Sequence, residues 1–251
     1  MTRILVINPN TSPAVSDVIR HGLAAMAMED VEITVINAPF GAESIETPAE
    51  ACIAAHALLA ALADHQNDAD AYVIGAFGDP GLEAAVSVMT VPVVGTAAAA
   101  FAEAGADDRR FAVITLGRSM ENSIRAAVTR LGYGTQLTGI HFLDASVLDF
   151  TAERDLFEET ICAQGARCVT NGAEAIVLGG APFTGMGAAL TTALQIPVLA
   201  GLEPAIRLAR TRAIQPPPLA THYSDSAKRF VGLPDNIIAL LNGASSHTEK
   251  S

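Results

Sequence analysis

The chain has no tryptophan, only three tyrosines and three cysteines in 251 residues, and an aromatic content of 5%. Three thiols, Cys52, Cys162 and Cys168, cannot build a disulfide framework, and none falls in a CxxC or Cys/His ligand spacing. They read as reduced thiols, so a cytoplasmic location is the expectation. Basic residues are scarce too: 15 Lys+Arg against 27 Asp+Glu leave a formal net charge of −12. A chain this acidic lacks the positive surface that neutralises phosphates, and anionic lipid would repel it. Nucleic acid and membrane are therefore excluded as expected partners. No apolar stretch free of turn signals reaches the roughly 20 residues that span a bilayer, and the apolar run in MTRILVINPN is too short for a secretory signal. What the chain does have is apolar bulk, 50% of its residues, enough for a sizeable core without covalent staples.

That bulk is organised. Short runs of β-branched residues end in small or polar loops and lead into Ala-rich segments with helical spacing, the alternation of a parallel sheet covered by helices. Strands are predicted over 4–7, 32–36, 71–75, 93–95, 111–115, 139–142, 175–178 and 198–201. Helices are predicted over 12–27, 49–65, 81–89, 97–104, 119–131, 152–171, 185–193, 203–210 and near 236–242. Residues 215–218, with three consecutive prolines, are the clearest linker, and the polar tail from Gly243 is expected to fray.

The second half repeats the first at a period of about 105 residues. VINPNTS at 6–12 returns as VITLGRS at 113–119, VIGA at 73–76 as VLGG at 177–180, and VPVVG at 91–95 as IPVLA at 196–200. Three blocks in the same order predict an α/β fold of two pseudo-symmetric Rossmann-like lobes, with parallel sheets and a cleft between them. The division is 1–105, 106–214 and a C-terminal segment 215–251 placed to pack back on the first lobe.

Ligands of open parallel sheets bind beyond the carboxyl ends of the strands, where helix N-termini offer free N–H groups to anions. Here those ends carry loops 8–12, 76–80, 115–119 and 180–185, all rich in Gly, Ser, Thr, Asn and Pro. Asn10, Thr11 and Ser12, with Thr115, Gly117, Arg118 and Ser119 in the repeat, are the expected substrate-binding groups, Arg118 being the cation placed to meet a carboxylate. Glu46 could face the cleft from the first lobe. Phe77 and Phe183 occupy matching places after two strand ends and read either as apolar pocket walls or as core.

Four segments, ILVINPNTS, GAFGDPGL at 75–82, the VPVVG strand and VLGGAP at 177–182, carry a resemblance. The chain resembles the aspartate/glutamate/hydantoin racemase superfamily, in particular its hydantoin/allantoin racemase branch, to about residue 210. The resemblance implies two Rossmann-like lobes, no cofactor, a hydantoin-like cyclic amide or amino-acid-like carboxylate between them, and one catalytic thiol from each lobe. The family's first cysteine directly precedes FGDPGL, and here that position is Ala76. Its second follows the Leu-Gly of the second-lobe strand, and here that position is Gly180, flanked by Ala181 and Pro182 as further substrate contacts. The internal repeat pairs Ala76 with Gly180 independently of the family. Inverting a carbon α to a carbonyl needs a base on one face and an acid on the other, which neither residue supplies.

Other catalytic candidates are Asp79, His141 and His222. Asp79 precedes a proline in a turn, so a capping role competes with a catalytic one. His141 with Asp144, and His222 with Asp225, share an HxxD spacing that can hold a metal or pair an orienter with a base; no metal is favoured over capped loop histidines. His21, His56 and His65 lie on helix patterns as surface or interface residues. The expected partners are a small-molecule substrate and further copies of the chain. Two functions compete: a cofactor-independent enzyme, racemase by resemblance but chemically suited to hydrolysis, elimination or decarboxylation, and a non-catalytic binding or accessory protein.

Overall fold

In the computed structural model, which describes residues 1–26, 28–215 and 228–243, the predicted strands form two four-stranded parallel sheets. The first comprises β1 (Thr2–Asn8), β2 (Val31–Asn37), β3 (Ala71–Ile74) and β4 (Val93–Gly95), ordered β2-β1-β3-β4. The second comprises β5 (Phe111–Thr115), β6 (Leu137–Phe142), β7 (Ala175–Gly179) and β8 (Val198–Ala200), ordered β6-β5-β7-β8. The two orders are the same once the repeat is applied. Registers agree as well, Ile7 pairing with Ile74 in one sheet and Ile114 with Leu178 in the other.

The helices are α1 (Pro13–Ala24), α2 (Pro48–His65), α3 (Leu82–Val88), α4 (Thr96–Ala104), α5 (Glu121–Arg130), α6 (Val147–Ala152), α7 (Glu158–Thr170), α8 (Gly187–Leu194), α9 (Glu203–Ala213) and α10 (Asp235–Leu241). Central strands are apolar throughout because both faces are covered. On β1, Ile4 and Val6 pack toward Val15, Ile19 and Leu23 of α1, while Leu5 and Ile7 pack toward Leu58 and Leu62 of α2. On β5, Ala112 and Ile114 meet Ile161 and Cys168 of α7, while Phe111 and Val113 meet Ala97, Ala100 and Phe101 of α4.

The last helix of each half is exchanged between the sheets. Helix α4 follows β4 of the first sheet yet packs on β5 and β7, and α9 follows β8 of the second sheet yet packs Ala205, Ile206 and Ala209 on Ile4, Val6 and Val73. A boundary at 105/106 thus separates the strands but not the helices. Helix α10 returns to the first sheet's outer layer, with Ile237 and Leu240 against Leu58 and Leu62.

The predicted helix over 152–171 is broken in the structure. Ser146 caps α6, its hydroxyl accepting from the Asp149 N–H (3.1 Å), and the chain leaves helical geometry at Glu153 (φ −130°, ψ 37°). There Arg154 turns inward and donates to the Thr184 carbonyl at 2.7 Å. A 3-10 turn over Arg154–Phe157 then leads into α7. No helix among the described residues is long and apolar enough to cross a membrane.

Candidate functional site

The carboxyl ends of β1, β3, β5 and β7 converge on one cavity of about 60 Å³. Asn10, Gly75, Ala76 and Phe77 line it from the first sheet, and Thr115, Leu116, Gly179, Gly180, Ala181 and Pro182 from the second. Val15, Ile45, Met120, Ile124 and Val147 complete the wall. Ala76 and Gly180 therefore reach one cavity from opposite sheets. None of the fifteen lining side chains is titratable.

Polar groups in this wall are few and mostly engaged. Thr115 donates its hydroxyl to the Gly179 carbonyl at 2.5 Å. Asn10, 5% exposed, accepts the Ser12 N–H on its side-chain oxygen at 3.0 Å. Phe77 crosses the cleft so closely over Gly179 that a β-carbon there would collide with its ring, and its outer edge packs on Phe101. Gly180 has φ +149° and ψ 145°, a conformation essentially restricted to glycine.

Several expected site residues are used elsewhere. The Thr11 N–H and hydroxyl both donate to the Ala42 carbonyl (2.9 and 3.2 Å), and the Ser12 hydroxyl caps α1 by accepting from Val15 N–H. With Pro13 lacking an N–H, the Thr11, Ser12 and Val15 N–H groups of the expected anion cradle already have acceptors within the protein. Gly117 packs against Glu46, and Met120 donates its N–H back to the Gly117 carbonyl. Ser119 is exposed. Arg118 is exposed as well and lies over the Phe142 ring, its guanidinium carbon 5.1 Å from the centroid, outside the cavity wall. Arg118→Ala should therefore weaken a charged and a neutral ligand equally, each by less than about twofold. Selective loss of a carboxylate ligand in calorimetry would restore Arg118 to the site.

Glu46 accepts from Ser44 Oγ and, across the lobes, from the Val147 N–H (3.1 Å), so it caps α6 and holds Ile45 in the cavity wall. Beside it Glu50 closes a capping box on Thr47, and the Glu46 N–H bound to its carboxylate holds it below the usual carboxylate range. Asp79 turns away from the cleft: its two oxygens accept the N–H groups of Ala97 and Ala98 at 2.8 Å each, at the start of α4. Burial pushes its carboxyl up to about 6, against the pull of those two amides. Phe183 is wholly buried among Phe150 and its neighbours and belongs to the core.

His141 is half-buried on edge strand β6, outside the cavity wall. Among the described residues no three His, Cys, Asp or Glu side chains are grouped to hold a metal, and His141 and Asp144 find no third ligand. His222, Asp225 and most of the proline linker lie outside the described residues. Cys52 is exposed on α2, Cys162 half-buried, and Cys168 buried with its thiol pushed up by desolvation; none lines the cavity.

Sequence reasoning missed Val15, Ile45, Gly75, Leu116, Met120, Ile124, Val147 and Gly179. Leu116 carried a usable signal, a lone large apolar residue inside a small polar strand-end loop. Val15 had the i, i+4 spacing with Ile19 of an inward helix face but nothing to distinguish cleft from core.

The Asp/Glu/hydantoin racemase family profile matches residues 4–209. The chain belongs to that family. This racemase-family chain is 31% identical over 212 residues to a hydantoin racemase of Paenarthrobacter aurescens, covering 83% of this chain and 90% of the relative. A hydantoin racemase of Rhizobium meliloti is 32% identical over 213 residues, covering 82% and 86%. Among solved structures, an allantoin racemase from Klebsiella pneumoniae superposes with a TM-score of 0.80 at 31% identity, covering 84% of this chain and 87% of that one. Both sequence and fold thus group it with racemase-like enzymes of the hydantoin/allantoin branch.

Proposed function

We propose that this racemase-like chain binds a small uncharged cyclic amide of the hydantoin class in its cleft, and that proton exchange at the ring carbon there proceeds without a thiol. One observation carries the reading: the two positions that carry thiols in the family pattern are Ala76 and Gly180, and among the described residues no titratable side chain lines the cavity. Lacking a cation, the wall is poorly suited to an amino-acid-like carboxylate, whose desolvation would go uncompensated. A neutral ring with carbonyl and N–H edges meets apolar walls and a few amide groups at no such cost.

A positioned acid or base contributes about 10²- to 10⁴-fold to a proton transfer. Racemisation by this chain should fall short of a two-thiol enzyme by at least one such factor. A panel of L- and D-5-substituted hydantoins, followed by optical rotation and by chromatography of ring-opened products, tests this, with thermal shift reporting binding. The expected result is stabilisation by hydantoins, slow or undetectable loss of rotation, and no effect of iodoacetamide. Rapid racemisation abolished by that reagent would overturn the reading. Ring opening would instead identify hydrolysis, and failure of every hydantoin to stabilise the protein would remove the substrate class. The absence of an acid–base pair also favours a second reading, a binding protein without turnover, which the same assay separates by substrate depletion.

A further inference from the structure

Asn8 ends β1, is completely buried, and is not part of the cavity wall. Its side-chain amide donates twice, to Asn10 Oδ1 at 2.8 Å and to Ser16 Oγ at 3.0 Å, while its own Oδ1 is buried without a partner among the described residues. Asn10 Oδ1 receives a second donor, the Ser12 backbone N–H at 3.0 Å. A backbone N–H can only donate, so the Asn10 atom it meets is the oxygen, and the Asn8 atom sharing that oxygen is the nitrogen. Turning the Asn8 amide over would set two carbonyl oxygens against each other. The unpartnered Asn8 oxygen is thus the cost of a fixed orientation, one unmade hydrogen bond in a buried place.

We infer that Asn8 is a positioning residue: it holds Asn10 with the side-chain N–H2 as the group free to face the ligand, so this wall of the cleft reads a carbonyl oxygen. Asn37 supports the same loop by donating its side-chain N–H2 to the Asn10 and Ser12 carbonyls at 3.2 and 3.0 Å. Freed of Asn8, the Asn10 amide keeps one anchor, the Ser12 N–H, and can rotate out of it. The inference rests on the reading of the cleft as the ligand site, and nothing in the family resemblance assigns Asn8 a role. Its counterpart in the repeat, Thr115, bonds differently, to a strand-end carbonyl. The device therefore belongs to the first lobe alone.

The test compares two probes with the same ring, hydantoin and 2,4-dithiohydantoin, whose sulfur atoms are larger and weaker acceptors. Wild type should prefer hydantoin by roughly three- to tenfold in Kd, the worth of one neutral hydrogen bond. Asn10→Ala and Asn8→Ala should each bring that ratio close to one, and the double variant should change it no further. A merely structural role for Asn8 predicts equal losses for both probes with the ratio intact, and that result overturns the proposal. So does a ratio of one in wild type. An independent arm needs no ligand and no variant: in NMR of wild type, the Asn10 side-chain amide protons should show contacts with methyl groups of Val15 or Ile45 in the cleft. Contacts with the Ser12 N–H instead would overturn the orientation. If neither probe binds wild type while the NMR contacts are present, the cleft reading has failed and the Asn8–Asn10 arrangement has not.

Discussion

Ala76→Cys should exchange the C5 proton of a bound hydantoin with solvent deuterium while leaving its optical rotation unchanged. Ala76 lines the cavity with an unstrained backbone, so a thiol there needs no rearrangement beyond its own volume. As thiolate it takes the C5 proton, the electron pair moves into the ring carbonyl as an enolate, the thiol exchanges its proton for deuterium, and deuterium returns to C5. Donor and acceptor are the same sulfur on the same face, so configuration is retained. Above about pH 8.5, where a free thiol ionises, deuterium uptake should rise by about 10²- to 10⁴-fold over wild type. Mass spectrometry and polarimetry on one sample read both quantities, and iodoacetamide should abolish the gain. Loss of rotation as fast as exchange would reveal an acid on the Gly180 side; no exchange would mean that position 76 does not face C5. Adding Gly180→Cys should not complete a racemase. At φ +149° a side chain is strained, and its β-carbon would stand 3.3 Å from the Phe183 ring.

The strands and their pseudo-symmetry were legible because buried parallel strands write themselves as apolar runs, and a duplicated lobe repeats those runs in order. The family resemblance singled out Ala76 and Gly180, and the internal repeat pairs the same two positions. What escaped was set by contacts without sequence period. The loop from Ala38 to Glu46 folds over the start of α1, so the Ala42 carbonyl consumes donors of Thr11 that seemed free from the local motif. Arg118 follows a strand end as an anion-binding residue would, yet the aromatic ring of edge strand β6 takes it outward. The exchange of α4 and α9 was equally hidden, since Ala-rich helices such as α4 carry no mark of which sheet they cover. The separate helix α6 ahead of the break before α7 did have a local signal, Ser146 three residues before Asp149, the pattern of a helix start.

Asp79→Ala should destabilise the fold by about 2–4 kcal/mol, because it leaves the Ala97 and Ala98 N–H groups at the start of α4 without their acceptors. In a chain of this size that corresponds to a fall in Tm of roughly 5–15 °C. The loss reaches both lobes, since α4 grows from the first sheet and covers the second. Its pH dependence follows from the raised carboxyl. With the folded value at about 6 against an ordinary 3.8, the native state holds a proton that the unfolded chain has released between those limits. Stability contributed by Asp79 is therefore greatest below about pH 4 and declines as pH rises through 6, by up to about 3 kcal/mol. Urea denaturation of wild type and Asp79→Ala at pH 4.5 and 7.5 measures the difference directly. A smaller advantage for wild type at pH 7.5 is expected. An advantage that grows with pH would mean that the two α4 amides and the helix dipole outweigh burial, and that Asp79 caps as a permanent anion.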